Sequence, residues 1–252
     1  MSTIRIAGGS IAGRAHVRAG RNNQDAYAWR ESQDGAVLVV CDGCSAEPHS
    51  EVGARLGATM LAEAIARRLS GATDLDALLV DARTEVLAAL GKIVDAMAGS
   101  AKDARRAVVY EQFLFTVLGA IVTRDTCLVF GLGDGAAWVN GEPLALATFP
   151  GNAPPYLGYA LVDARAAEKD VFCIHSRTPA AQLQSLTLGS DGAHAFASQA
   201  PVGSLLAERT FANRDMVRRA LVRVARVAQG PASLEDDVTL LVLQRTRLGA
   251  PS

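Results

Sequence analysis

Residues 36–41, AVLVVC, form an unbroken apolar run that stops at Asp42-Gly43. A short, β-branched run of this kind is a buried strand. The aspartate at its end puts a charge where burial is expensive. The junction recurs along the chain. Asp134-Gly135 follows LVFGLG and Asp191-Gly192 follows LTLGS. Asp25 precedes AYAW, and Asp236 and Asp237 precede VTLLVL. Asp-Gly steps make turns, and Asp34-Gly35 reads as a hairpin turn. The other acids abut strongly apolar strands rather than polar neighbours. If those strand ends meet at one edge of a sandwich, their carboxylates converge. Crowded carboxylates repel one another, and such a cluster is stable when a cation neutralises it. Oxygen donors without His or Cys favour hard ions, Mg²⁺ or Mn²⁺ rather than Zn²⁺. On pattern alone, turns and a carboxylate-metal site both stay open.

The rest of the pattern sets the fold class. Residues 3–6 read as a short strand, 8–24 as a Gly-, Arg- and Asn-rich loop, and 26–30 as a strand. From Ser50 the period changes. Val52, Leu56, Met60, Leu61, Ile65 and Leu69 share one helical stripe, with Ser50 as N-cap and Gly71 as stop. A second helix starts at Asp74. Leu75, Leu78, Leu79, Ala82, Val86, Leu90, Ile93 and Met97 lie on one side, and Gly99 ends it. Residues 99–112 read as a charged, mobile connector. Residues 113–123 and 126–133 are strands joined by Arg124-Asp125. Residues 136–146 form a hairpin about Asn140-Gly141. A proline-rich irregular loop spans 149–159, at the expected substrate rim. Strands follow at 171–175 and 183–190. A helix at 213–229 is stopped by Gly230-Pro231, and residues 238–244 are a closing strand. Strands in hairpin-linked clusters with few helices give an α+β fold of mostly antiparallel sheet. Residues 1–252 read as a single domain.

Bulk properties narrow the partners. With 25 basic and 26 acidic residues the net charge is −1. That excludes nucleic acid or an anionic membrane as the main partner by charge alone, though not a local patch. No apolar stretch approaches the roughly 18 residues of a membrane span. The first residues lack the apolar core of a secretory signal. A cytoplasmic protein is expected. Cys41-x-x-Cys44 has the spacing of half a zinc site or a redox pair. No second CxxC or HxxxH pair completes a zinc site, and Pro48 separates the pair from the next helix. These cysteines are read as structural.

Six segments, in order, carry a family resemblance. NQDAYAW (23–29), VVCDGCSAEPHSEVGA (39–54), LFTVLGAIVT (114–123), VFGLGDGAAWV (129–139), LTLGSDGAHAF (186–196) and EDDVTLLVL (235–243) resemble the ordered elements of type 2C metal-dependent serine/threonine protein phosphatases, closest to their bacterial branch. The resemblance implies two packed antiparallel sheets flanked by helices, with metals at one edge. It implies hydrolysis of phosphoserine and phosphothreonine in proteins by a water activated between two Mn²⁺ or Mg²⁺ ions, with no covalent intermediate. The implied partner is a phosphoprotein whose state a Ser/Thr kinase opposes.

By position, Asp42 would bridge the two metals and the Gly43 carbonyl would bind one. Asp191 and Asp236 would complete the other shell. Asp25 would orient metal-bound water or ligate. Asp134 falls where the family can hold a third, weaker ion. The family's Glu before the Asp is Gln24 here, which can hold a metal-bound water but carries no charge. The family's phosphate-binding arginine falls at Gly20, so Arg21 or Arg18 is expected to take that part. His16 resembles an upstream Gly-x-x-His feature of related sequences. The family's histidine after Asp-Gly is Cys44 here, leaving His49 as candidate general acid. His175 and His194 are given no role. The competing expectation is a phosphatase-like regulatory or binding module that has lost turnover.

Overall fold

The computed structural model describes residues 2–99, 101–228 and 233–247. Among the described residues, ten strands form two five-stranded antiparallel sheets. The first sheet holds β1 (Ser2–Ile11), β10 (Val238–Arg247), β9 (Ser185–Gly189), β6 (Ala136–Val139) and β7 (Glu142–Leu144), in that order. The second holds β2 (Asp25–Ser32), β3 (Gly35–Asp42), β4 (Val117–Val122), β5 (Thr126–Leu132) and β8 (Cys173–Pro179). The expected sandwich is therefore present, with helices on both outer faces.

Period-2 geometry explains the long apolar runs. In β3, Ala36, Leu38 and Val40 point between the sheets, against Leu118, Leu186, Leu188, Leu241 and Leu243. Val37, Val39 and Cys41 point outward, into a layer with helices α2 (Glu51–Leu69) and α3 (Leu75–Ala98). Both faces are covered, so polar residues have no place along the strand. On the other side, Val238, Leu240 and Val242 of β10 face α8 (Met216–Val227). Burial of these strands on both faces leaves their ends as the places where charge can sit.

The helix expectations hold in their main lines. Asp74 caps α3, its side chain accepting from the N–H groups of Asp76 and Ala77 at 2.9 and 3.1 Å. Leu78, Leu79, Ala82, Val86 and Leu90 are buried as the stripe requires, but Val94 rather than Met97 completes it. Ser50 does stand just before α2, yet its hydroxyl donates to the Cys44 carbonyl and caps nothing.

Four expectations are corrected. The first strand is ten residues long rather than four, because antiparallel pairing with β10 continues through Gly8 and Gly9 to Ile11. Glycine there reflects crowding: a Cβ on Gly8 would fall 2.4 Å from the Tyr27 ring. The loop after it contains a short helix, α1 (Arg14–Ala19). The presumed connector at 99–112 contains helix α4 (Lys102–Gln112), held to the outer layer by buried Val109. The helix at 213–229 starts at Met216, and the expected stop at Gly230-Pro231 lies outside the described residues. Short helices α5 (Ala164–Lys169), α6 (Ala193–Gln199) and α7 (Glu208–Ala212) complete the chain. No helix among the described residues is long and apolar enough to cross a membrane. Cys41, Cys44, Cys127 and Cys173 are free thiols.

Candidate active site

At one end of the sandwich β2, β6 and β10 begin and β3, β5 and β9 finish. The strand-end acids meet there. Asp25 and Asp42 are directly opposite each other in the β2–β3 register. The Asp191 N–H donates to Asp42 Oδ2 at 3.4 Å. Asp42, Gly43, Thr116, Asp134, Asp191 and Asp236 line one small pocket of about 20 Å³, together with Cys44, Ser45, Pro154 and Tyr156. That space suits ions or a water, not a substrate. Pro154 and Tyr156 bring the proline-rich loop to its rim.

Glycine makes the convergence possible at two of these ends. A Cβ on Gly43 would fall 2.6 Å from Ser50 Oγ and 2.7 Å from the Gln24 carbonyl. A Cβ on Gly192 would fall 2.1 Å from the Asp237 carbonyl oxygen. Any other residue at either place would push the acidic strand ends apart.

Like charges shape the site's electrostatics. Burial holds Asp42 well above the usual carboxylate range, and Asp25, Asp191 and Asp236 raise it further. Burial pushes Asp25 up to about 7, against a lowering hydrogen bond from Ser190. Asp134 and Asp236 are raised too, first by burial and next by Asp191. Ser190 Oγ donates to Asp25 Oδ2 at 2.6 Å, while Asp25 Oδ1 is buried with no hydrogen-bond partner. An orphaned buried carboxylate oxygen among mutually repelling acids is costly in a protein alone. Hard cations would remove both costs, so the donor set fits Mg²⁺ or Mn²⁺.

A second arrangement braces this end. Asp237 Oδ1 accepts from the Gly13 N–H at 2.7 Å, and Oδ2 from the Gln24 N–H at 2.6 Å. His16 Nδ1 lies 2.8 Å from the same Oδ2. His16, Asp236 and Asp237 offer donor atoms within 4.8 Å of one another. Yet the Asp237 oxygens are already engaged by three groups, so the trio reads as a brace beside Asp236 rather than a separate ion site. Sequence reasoning gave Asp237 and Ser190 no role. The doubled acid before the closing strand and the Ser of Ser-Asp-Gly were the available signals.

The remaining expected residues are distributed unevenly. Gln24 is buried, its side-chain amide donating to the Glu47 carbonyl at 2.7 Å, with Oε1 unpartnered. Arg21 donates to the Ser45 carbonyl at 2.6 Å and lines a neighbouring pocket of about 340 Å³ with His16, Ser45, Glu235 and Asp236. Arg18 is exposed and paired with Glu235 at 2.5 Å. His49 is exposed, 4.0 Å from Glu51, and lines neither pocket. His194 has Nε2 3.2 Å from the Gly135 carbonyl and its ring beside Trp138, and its charge acts to lower the neighbouring Asp134 against the larger effect of burial.

A sandwich of two antiparallel sheets with carboxylates gathered at one end is the frame of a metal-binding hydrolase. The particular family is shown by a family model described as Protein phosphatase 2C, which matches residues 12–234; the chain belongs to that family of metal-dependent phosphatases. Among curated proteins none matches the chain. Solved structures share the fold at low identity. The catalytic domain of the serine/threonine protein phosphatase PstP, in complex with two manganese ions, superposes with a TM-score of 0.57 at 15% identity, covering 98% of this chain and 100% of that one. The serine/threonine phosphatase Stp1 from Staphylococcus aureus gives 0.56 at 16% identity, covering 96% and 95%. PppA, a regulatory component of a secretion system in Pseudomonas aeruginosa, gives 0.56 at 18% identity, covering 97% and 100%.

Proposed function

We propose that residues 1–252 act as one catalytic unit that hydrolyses phosphoserine and phosphothreonine esters in proteins with Mn²⁺ or Mg²⁺. The observation that carries this is the carboxylate set itself. Asp42 faces Asp25 across the β2–β3 register and accepts from Asp191, with Asp236 and Asp134 on the same pocket. A chain without a cation to hold has no reason to keep this arrangement.

Asp42, the Gly43 carbonyl, Asp191 and Asp236 would hold two ions, with Asp134 available for a third. When bound, the ions lower the pKa of water and neutralise charge gathering on the phosphoryl oxygens. Asp25 is held by Ser190 with one oxygen left to orient the attacking water. Gln24 Oε1 is unpartnered and available to hold a water where the family's Glu carries charge. Arg21 and His16 line the pocket beside Asp236, where a guanidinium and an imidazole match a phosphate. Arg18 is the weaker candidate, since Glu235 engages it. His49 would have to serve as general acid from an exposed position, and solvent is an equal proton source. The biological partner would be a phosphoprotein marked by a Ser/Thr kinase, in the cytoplasm.

The test is phosphate release from p-nitrophenyl phosphate and from a phosphothreonine peptide, with Mn²⁺ or with EDTA. Metal-dependent release that disappears in Asp42→Ala is expected. Release that persists in EDTA, or in the variant, would remove the metal assignment.

A further inference from the structure

The outward face of α8 is almost entirely arginine. The helix carries Arg218, Arg219, Arg223 and Arg226 and no acidic residue. Val217, Leu221 and Val224 are buried against the first sheet, so helical periodicity fans the arginines over the opposite side. Asp215 pairs with Arg218 and Arg219 at 3.5 and 3.0 Å. Arg223 and Arg226 are exposed and have no acidic partner among the described residues.

This stripe leads to the acidic end of the sandwich. Near its start α8 crosses β1 where a Cβ on Gly9 would fall 2.3 Å from the Arg218 nitrogen. Near its finish, the Arg14 guanidinium of α1 donates to the Ala225 carbonyl at 2.9 Å. Helix α1 then presents Arg14 and Arg18. Just beyond it, Arg21 lines the pocket shared with His16 and Asp236. The two most exposed large hydrophobic residues among those described, Val227 at 72% and Val17 at 66%, sit on these same two helices. Glu235 engages Arg18 and Asp215 engages Arg218 and Arg219, but a chain of net charge −1 still gathers seven arginines and two exposed valines on one track ending beside its proposed catalytic pocket, with Arg223 and Arg226 left without acidic partners among the described residues.

We propose that this track docks an acidic segment of the phosphoprotein substrate, Asp- and Glu-rich and displaced from the scissile phosphate, with Val17 and Val227 receiving an apolar side chain from it. The proposal rests on the phosphatase reading and adds the class of substrate. Charge complementarity with continuity to the pocket favours a protein segment. A lipid surface is served less well, because the apolar face of α8 is spent on the core. Single-stranded nucleic acid is served less well, because the exposed side of α8 carries no aromatic side chain for bases to stack on.

The test compares wild type with Arg223→Glu/Arg226→Glu on two phosphothreonine peptides that differ only in an acidic or a neutral flanking tract, with p-nitrophenyl phosphate as the small substrate. Wild type should show the lower KM for the acidic peptide, and added salt should narrow the gap. The double variant should raise that KM by roughly three- to tenfold, with kcat and p-nitrophenyl phosphate turnover unchanged. Arg223→Ala/Arg226→Ala should move it less, in the same direction. Equal KM values for the two peptides in wild type, or an unmoved KM in the variants, would overturn the proposal. So would wild-type binding to phosphatidylserine vesicles or to a single-stranded oligonucleotide that the variant loses while its KM stays put. If Mn²⁺ supports no turnover of any substrate, the phosphatase reading fails separately. Fluorescence anisotropy of the labelled acidic phosphopeptide then decides docking: binding lost in the double variant upholds it, and binding retained overturns it.

Discussion

The two ends of the sandwich use the same residues for opposite purposes. At the far end, Asp34-Gly35 joins β2 to β3, Arg124-Asp125 joins β4 to β5, and Asn140-Gly141 joins β6 to β7. Their polar groups find local partners. The Asp34 N–H bonds Ser32 Oγ at 3.2 Å, and the Asp125 N–H bonds Thr123 Oγ1 at 3.2 Å. The Asp34 side chain is half-buried and that of Asp125 is exposed, and the Asn140 side chain bonds the backbone of Gln182, Gln184 and Ser185. At the near end, Asp42-Gly43, Asp134-Gly135 and Asp191-Gly192 turn nothing into a hairpin. Their carboxylates are half-buried and line one small pocket together. The dipeptide therefore carries no meaning by itself. Meaning comes from whether neighbouring strand ends deliver more acids to the same place.

The sharpest break of this comparison is one neutralising change. Asp42→Asn should lower metal-dependent phosphate release by more than about a hundredfold, because the amide would offer no anionic oxygen to the ions that Asp42 is proposed to hold. The same variant without metal should be more stable than wild type, by about 1–3 kcal/mol, since a buried repelling charge has gone. Steady-state turnover and urea unfolding in EDTA measure the two effects. A variant that loses activity and stability together would point to damaged packing rather than to the loss of the proposed metal ligand.

pH tests the same contrast without mutation. A carboxyl whose pKa is higher in the folded state than in the unfolded chain disfavours folding once it ionises. For Asp25, raised from 3.8 to about 7, that penalty is absent below the unfolded value and complete above the folded one. Asp42 acts in the same direction. Metal-free protein should therefore lose stability as pH rises from about 4 through 7. Saturating Mn²⁺ should flatten or reverse that slope. Unfolding midpoints at several pH values, with EDTA and with Mn²⁺, give the answer. A metal-free midpoint that rises over this window would contradict the crowding of acids at the near end.

Much of this was legible in the sequence, for identifiable reasons. The continuous run at 36–41 announced a strand covered on both faces, and the acids directly after such runs announced where charge collects. Convergence itself was not legible, since Asp25, Asp42, Asp134, Asp191 and Asp236 meet only through sheet order. Helix α1 was hidden because Gly13 and Gly20 bracket only six residues with no apolar stripe. Helix α4 was hidden by its charge, since a single residue, Val109, is buried. Asp237 was hidden by its neighbour. Two adjacent acids read as one signal, yet Asp236 lines the pocket and Asp237 ties Gly13, Gln24 and His16 together.

A smaller effect belongs to the far end's tightest turn. Asn140 adopts φ 56°, and its Oδ1 accepts from the N–H groups of Gln184 and Ser185 at 2.7 and 3.1 Å. Its amide donates to the Gln182 carbonyl at 2.8 Å. Asn140→Ala should cost about 1–2 kcal/mol through the lost bonds and the left-handed backbone. Turnover should stay at the wild-type level, as measured with p-nitrophenyl phosphate.

The smallest expected effect is the most direct control on the comparison. Asp34 shares its Asp-Gly context with Asp42 and sits at the other end of the same strand, β3. It is half-buried, and its turn is made by backbone and Ser32. Asp34→Ala should change stability by no more than about 0.5 kcal/mol. It should leave metal-dependent turnover and the pH slope of the metal-free protein where they were. If Asp34→Ala instead lowered turnover as Asp42→Asn does, charge would matter through the net field of the molecule. The near end would then have no special claim, and the metal assignment would lose its basis. If only Asp42→Asn acts, two identical dipeptides eight residues apart divide cleanly into a turn and a ligand, and the separation is made by the neighbouring strand ends.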